Sequence, residues 1–134
     1  IRKDEAGIPR LKEFWPDRMP IGNYQIMKPF TNNIVTLQEG DVLYFFSDGF
    51  PDQFGGVDGK KLCANRFKQM LLSFYDRPIS QQGVLLGDSL ERWKGDQIQV
   101  DDILIVGLRP DLICGITQSD NQHVAVNQSQ NNQD

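Results

Sequence analysis

Two apolar runs stand out along the chain, and each meets aspartate at one end. Val42-Leu43-Tyr44-Phe45-Phe46 runs into Ser47-Asp48-Gly49, and Asp101-Asp102 runs into Ile103-Leu104-Ile105-Val106-Gly107-Leu108. Continuous apolar runs of this length bounded by turn residues predict strands buried on both faces. One run ends at its acid and the other begins after its acids. If the two strands are antiparallel in one sheet, Asp48 and Asp101 fall on the same edge.

Between them the period changes from strand to helix. Phe67, Met70, Leu71 and Phe74 recur at i, i+3, i+4, i+7 and predict a helix over 60–75, ended by Arg77-Pro78. Ser80 suits the N-cap of a second helix to Lys94, with Leu86, Leu90 and Trp93 inward and Gly95 as its stop. Gly83 and Gly87 weaken that helix by roughly 1 kcal/mol each. Ahead of the first run, Ile34–Gln38 predicts a strand that Glu39-Gly40-Asp41 turns back into 42–47, a hairpin. Glycines among 49–60 predict a loop, and residues 1–27 are mixed, with turns at Trp15-Pro16 and Met19-Pro20-Ile21-Gly22.

Composition narrows the classes. The 134 residues suit one domain or a piece of one, and the start at Ile1 rather than Met suggests excision from a longer protein. A net charge of −4 without a basic cluster argues against nucleic acid. No run approaches the ~18 apolar residues of a membrane span, and no signal peptide is visible. Cys63 and Cys114 have no metal-ligand spacing and read as reduced thiols of a cytoplasmic protein, with a disulfide as the lesser alternative. Nine of the last 24 residues are Gln or Asn, so 111–134 is expected to be a polar tail beside a domain at 1–110. The lone His123 lies in that tail and reads as an ordinary surface residue.

The aspartates carry the candidate chemistry. Asp-Gly after a strand is ordinary turn chemistry, and Asp101-Asp102 alone would be a solvated loop. Two such sites at compatible strand ends are a different matter, because gathered carboxylates repel unless a cation lies between them. Hard oxygen ligands favour Mg²⁺ or Mn²⁺. Two such cations ~3.5–4 Å apart can ionise a bridging water and clamp a phosphate for in-line attack. Asp52 is a further carboxylate near Asp48. Lys60 and Lys61 read either as a substrate-facing pair that attracts phosphate or as a solvated first helical turn.

The segments Gly40-Asp41-Val42-Leu43-Tyr44-Phe45-Phe46-Ser47-Asp48-Gly49-Phe50, Asp52-Gln53-Phe54-Gly55-Gly56, Gly59-Lys60-Lys61 and Gln99-Val100-Asp101-Asp102-Ile103-Leu104 together resemble a known family. It is the stage II sporulation protein E-type branch of the metal-dependent protein phosphatases, the protein phosphatase 2C superfamily. Met19-Pro20-Ile21-Gly22 resembles the family's Pro-Leu-Gly segment, so the likeness spans about 19–109 in order. It implies an α+β fold, part of an antiparallel β-sandwich flanked by helices, with two consecutive helices between the Asp-Gly strand and the final strand. It also implies bacterial signalling by hydrolysis of phosphoserine or phosphothreonine with a metal-activated water. Asp48 and Asp101 match metal ligands, and Asp102 and Gly49 match supporting positions. The partners implied are a phosphoprotein substrate and an upstream sensor or repeat region.

Two departures qualify the likeness. Leu104 stands where the family usually has Thr. The family's first metal motif, an Asp with a Gly-His-Gly-like turn, has no counterpart before Met19. The chain therefore resembles only the C-terminal half of the domain, and alone it is expected to be inactive. The alternative is a non-catalytic signalling module with a phosphatase-like fold, although such a module needs neither Asp48 nor Asp101. Half a sandwich leaves an inner sheet face open, carrying Leu43, Phe45, Ile103 and Ile105 or their alternates. Such a face favours a homodimer or packing with the missing half.

Overall fold

In the computed structural model, which describes residues 1–22 and 25–110, the elements are six short strands and three helices. In chain order they are β1 (Arg2–Lys3), β2 (Pro9–Arg10), β3 (Leu43–Phe46), α1 (Gly49–Asp52), β4 (Phe54–Gly55), β5 (Lys60–Lys61), α2 (Ala64–Phe74), α3 (Ile79–Lys94) and β6 (Ile105–Leu108). The strands form three two-stranded antiparallel ladders, β1–β2, β3–β6 and β4–β5. The fold is thus mixed α/β with small antiparallel sheets and three helices. The expected tail, with Cys114 and His123, lies outside the described residues.

β3 and β6 are the two apolar runs of the sequence, paired with Leu43 opposite Leu108 and Phe46 opposite Ile105. Because side chains alternate across a strand, Tyr44, Phe46, Ile105 and Gly107 share one face. Tyr44 and Ile105 pack there, with Ile103, against a core of Phe50, Leu62, Phe67, Leu71 and Leu86. The opposite face carries Leu43, Phe45, Val106 and Leu108, and it is open: Phe45 is 58%, Val106 40% and Leu108 39% exposed. Burial on both faces is therefore not what the described residues provide. Of the residues expected on the open face, Leu43 and Phe45 lie on it, whereas Ile103 and Ile105 pack inward.

Three other expectations are corrected. Residues 34–38 form no strand, and Ile34 is 89% exposed. A buried carboxylate holds this segment instead: Asp41 accepts the Gln38 amide at 2.8 Å and both arms of Arg2, at 2.7 and 2.6 Å. Arg2 in turn donates to the Thr36 carbonyl. The segment's polar groups thus point at a side-chain pair 39 residues apart, not at a ladder. The first long helix starts at Ala64, not Lys60, because Lys60 and Lys61 pair with Gly55 and Phe54. Hydrogen bonds from Leu62 N to Gln53 O and from Cys63 N to Pro51 O hold the backbone out of helical geometry, and Cys63 takes a φ of 64°. Pro78, not Ser80, caps α3.

The inward stripes match their periods: Phe67 and Leu71 are buried on α2 and Leu86 on α3, with Met70, Phe74, Leu90 and Trp93 partly covered. A buried amide joins the layers. Gln82 of α3 donates to the carbonyls of Tyr75 and Arg77, at 3.2 and 2.8 Å, and accepts the Tyr44 hydroxyl. Burial pushes the Tyr44 phenol up to about 12 from its ordinary 10.0, outweighing the nearby Arg109 guanidinium. A folded value above the unfolded one means stabilisation that is intact below pH 10 and lost as pH rises through about 12. Urea titrations at stepped alkaline pH should show this loss in the wild type and a flatter profile in Tyr44→Phe. Identical profiles would show that another group governs the alkaline limb.

Candidate functional site

The end of β3 is fastened to the approach of β6 by one hydroxyl. Ser47 Oγ donates to the Asp102 carbonyl at 2.7 Å and accepts the Leu104 amide at 3.0 Å, while Ser47 N donates to Leu104 O at 3.0 Å. This places Asp48 and Asp101-Asp102 at the same end of the β3–β6 ladder. Contact between the two segments is close at Gly49: a Cβ there would stand 2.3 Å from the Asp102 carbonyl oxygen. The backbone of Gly49 is buried against Asp102 and only a residue without a side chain fits.

Asp48 itself is exposed. It opens α1 through its carbonyl, which accepts the Asp52 amide at 2.9 Å, and its carboxylate makes no capping bond. Asp101 and Asp102 are also exposed. Asp101 Oδ1 accepts the Asp102 amide at 2.7 Å, and its carbonyl accepts the Gln99 side chain at 2.8 Å. The carboxyl of Asp101 is thereby oriented by its own backbone.

The remaining candidates are held in ion pairs of their own. Asp52, at the end of α1, is ion-paired at 2.7 Å with Lys61 of β5. Lys60 pairs with Asp58 at 3.2 Å near the hairpin tip. Each lysine therefore already faces a carboxylate, and an incoming phosphate would compete with it. Among the described residues no group of three or more His, Cys, Asp or Glu side chains is placed to hold a metal ion. Two or three acids at one edge are a partial donor set for a hard cation that takes about six oxygens, so the residues present do not complete a metal centre by themselves.

The residues that hold this edge in place carry little sign of that role in the sequence. Ser47 was visible in the Ser-Asp-Gly turn, but its role depends on a partner 55 residues away. Trp93, expected as a core residue, donates from its indole to the Gln53 carbonyl at 3.0 Å, and its own carbonyl accepts the Gly56 amide at 2.7 Å. No spacing in the sequence points to that clasp.

No family model matches this chain, and no curated protein does. Among solved structures it is similar to the SiaA-PP2C domain of Pseudomonas aeruginosa, with 33% identity and a TM-score of 0.58. The match covers 61% of this chain and 34% of that one, so this chain corresponds to about a third of that structure's length. The likeness supports a protein phosphatase 2C-like fold for the matched part. No helix among the described residues is long and apolar enough to cross a membrane.

Proposed function

We propose that this chain is the C-terminal part of a stage II sporulation protein E-type serine/threonine phosphatase domain, in which Asp48 and Asp101 are metal ligands. The observation that carries the proposal is the fastened edge, where Ser47 and Gly49 hold two acidic segments from distant parts of the chain in backbone contact. The likeness to a PP2C domain at 33% identity supports it. In the whole domain, Asp48 and Asp101 would help to hold Mg²⁺ or Mn²⁺, whose chemistry would be to lower the pKa of a bound water so that a hydroxide nucleophile is available near neutral pH. This chain contributes the carboxylates of Asp48 and Asp101, with Asp102 and Gly49 supporting them through the backbone. Asp52 is held back by Lys61.

The donor set is completed by residues outside this chain, which leaves the chain alone inactive. The open face of Leu43, Phe45, Val106 and Leu108 is where the rest of that domain packs, or a second copy when the chain is isolated. The substrate class is a phosphoserine or phosphothreonine protein in the bacterial cytoplasm, and an upstream sensor region controls its hydrolysis. Lys60 and Lys61, on the hairpin beside this edge, face the substrate and exchange their aspartate partners for its phosphate.

Asp48→Asn in the complete protein tests this directly. Mn²⁺-dependent release of phosphate from a phosphoserine peptide should fall by at least about a hundredfold, because the neutral amide removes a ligand charge. Turnover near that of the wild type would overturn the assignment. A complete protein with no phosphatase activity before mutation would favour the non-catalytic signalling module.

A further inference from the structure

Immediately after α1 the chain buries an amide completely. Gln53 has no exposed surface, and its side-chain nitrogen donates to two carbonyls, Phe54 O at 3.0 Å and Ile98 O at 2.8 Å. Ile98 lies three residues ahead of Asp101, in a segment outside any helix or strand. The next residue, Gln99, binds the Asp101 carbonyl. On the other side, Gln53 N donates to Phe50 O, which fixes it to the turn that Asp48 opens. A short chain of hydrogen bonds therefore runs from the Asp48 turn through the Gln53 amide to the lead of Asp101.

Gln53 is itself clamped. Its carbonyl accepts the Leu62 amide at 2.9 Å and the Trp93 indole at 3.0 Å. Trp93 leaves no room beyond glycine two and three residues after Gln53: a Cβ on Gly55 would lie 1.9 Å from its carbonyl oxygen, and one on Gly56 2.8 Å from its ring. The Arg66 guanidinium lies over the indole, 4.2 Å from the ring centroid. With its backbone held in this way, the Gln53 side chain has little freedom except to reach Ile98.

The residue type is informative. Two carbonyl acceptors require two N–H donors from one group, which an amide provides and a carboxylate or thioether does not. The amide oxygen, by contrast, is buried with no hydrogen-bond partner among the described residues. An apolar side chain would fill the space without leaving a buried oxygen unsatisfied. Filling space is therefore a poor account of Gln53, whereas tying two carbonyls together is a good one.

We infer that Gln53 is a positioning residue that sets the Asp48 turn against the segment leading into Asp101. The effect on metal rests on the proposal that these aspartates are ligands; the effect on the edge itself does not. Gln53→Met keeps the length and volume of the side chain and deletes both donors. Hydrogen exchange should then quicken at the Ser47 and Leu104 amides, which bridge the edge, while Phe67 to Leu71 in α2 keep their protection. Mn²⁺ titrated into the complete protein well below its melting temperature should bind about tenfold more weakly, the usual loss when an outer-shell partner is removed. Trp93→Phe, which removes the indole donor to Gln53 together with part of the ring that Gly56 and Arg66 pack against, should move both readouts in the same direction by less, and it stands in if Gln53→Met does not fold. Exchange that is unchanged, or that quickens evenly along the chain, would reduce Gln53 to a core filler and overturn the inference. Exchange that quickens as expected in Gln53→Met, while the wild-type protein binds no Mn²⁺, would uphold Gln53 and sink the metal assignment instead.

Discussion

Gly49→Ala should open the acidic edge, although it adds a single methyl group. Its Cβ would stand 2.3 Å from the Asp102 oxygen, 2.9 Å from the Asp102 carbonyl carbon and 3.1 Å from the Ile103 side chain. Ordinary carbon–oxygen contacts begin near about 3.3 Å, and the nearest obstacle is backbone, which cannot rotate away. Ser47 resists withdrawal, because its hydroxyl and amide together make three hydrogen bonds to the Asp102–Leu104 segment. Overpacking of this kind costs about 1–3 kcal/mol, and the strain falls on the contact that holds Asp48 beside Asp102. Urea unfolding should show that loss, and metal affinity in the complete protein should fall with it. Gly83→Ala is the matched control: a Cβ on that α3 glycine meets nothing within 4 Å. It should stabilise the helix by roughly 0.5–1 kcal/mol. Equal stability of Gly49→Ala and the wild type would mean that the two segments are not in contact.

The features that were legible in the sequence are those carried by local pattern. Runs 42–46 and 103–108 are apolar enough to be strands wherever they pair, and the acids at their ends mark which edge they share. The α2 and α3 stripes follow from period alone, since Phe67, Leu71 and Leu86 need only a common apolar layer to be inward. What failed depended on partners far along the chain. Ile34–Gln38 lies between turn residues and suits a strand, but Arg2 and Asp41 take the polar groups of that segment and no ladder forms. Lys60 and Lys61 look like the start of α2 until Gln53 and Pro51 claim the amides that follow them. Gln53 illustrates the limit most sharply. Within Asp52-Gln53-Phe54 it is one polar residue in a loop, and its importance comes from carbonyls at 54 and 98 and an indole at 93.

Phe67→Ala should have the largest effect on stability, and it should reach the acidic edge without touching it. Phe67 is fully buried on α2, with its ring 4.7 Å from Phe50 and 4.9 Å, edge to face, from Phe46. It therefore supports both the strand that leads to Asp48 and the α1 turn that follows it. Truncating a buried Phe to Ala costs about 3–5 kcal/mol, because transfer energy is lost and the cavity collapses only in part. Domains of this size hold only about 5–15 kcal/mol in total, so the variant should melt at least roughly 10 °C lower. Phe67→Leu keeps most of the volume and should lie between the two. In the fraction that remains folded, Phe50 loses the surface it rests on, and the residue two places before it is Asp48. Weaker Mn²⁺ binding by folded Phe67→Ala than by folded Phe67→Leu is therefore the expected order. A melting point for Phe67→Ala within about 2 °C of the wild type would show that the Phe46–Phe67–Phe50 stack is not the support of this site. Loss of stability with unaltered affinity would show that the edge is held by Ser47, Gly49 and Gln53 without help from the core.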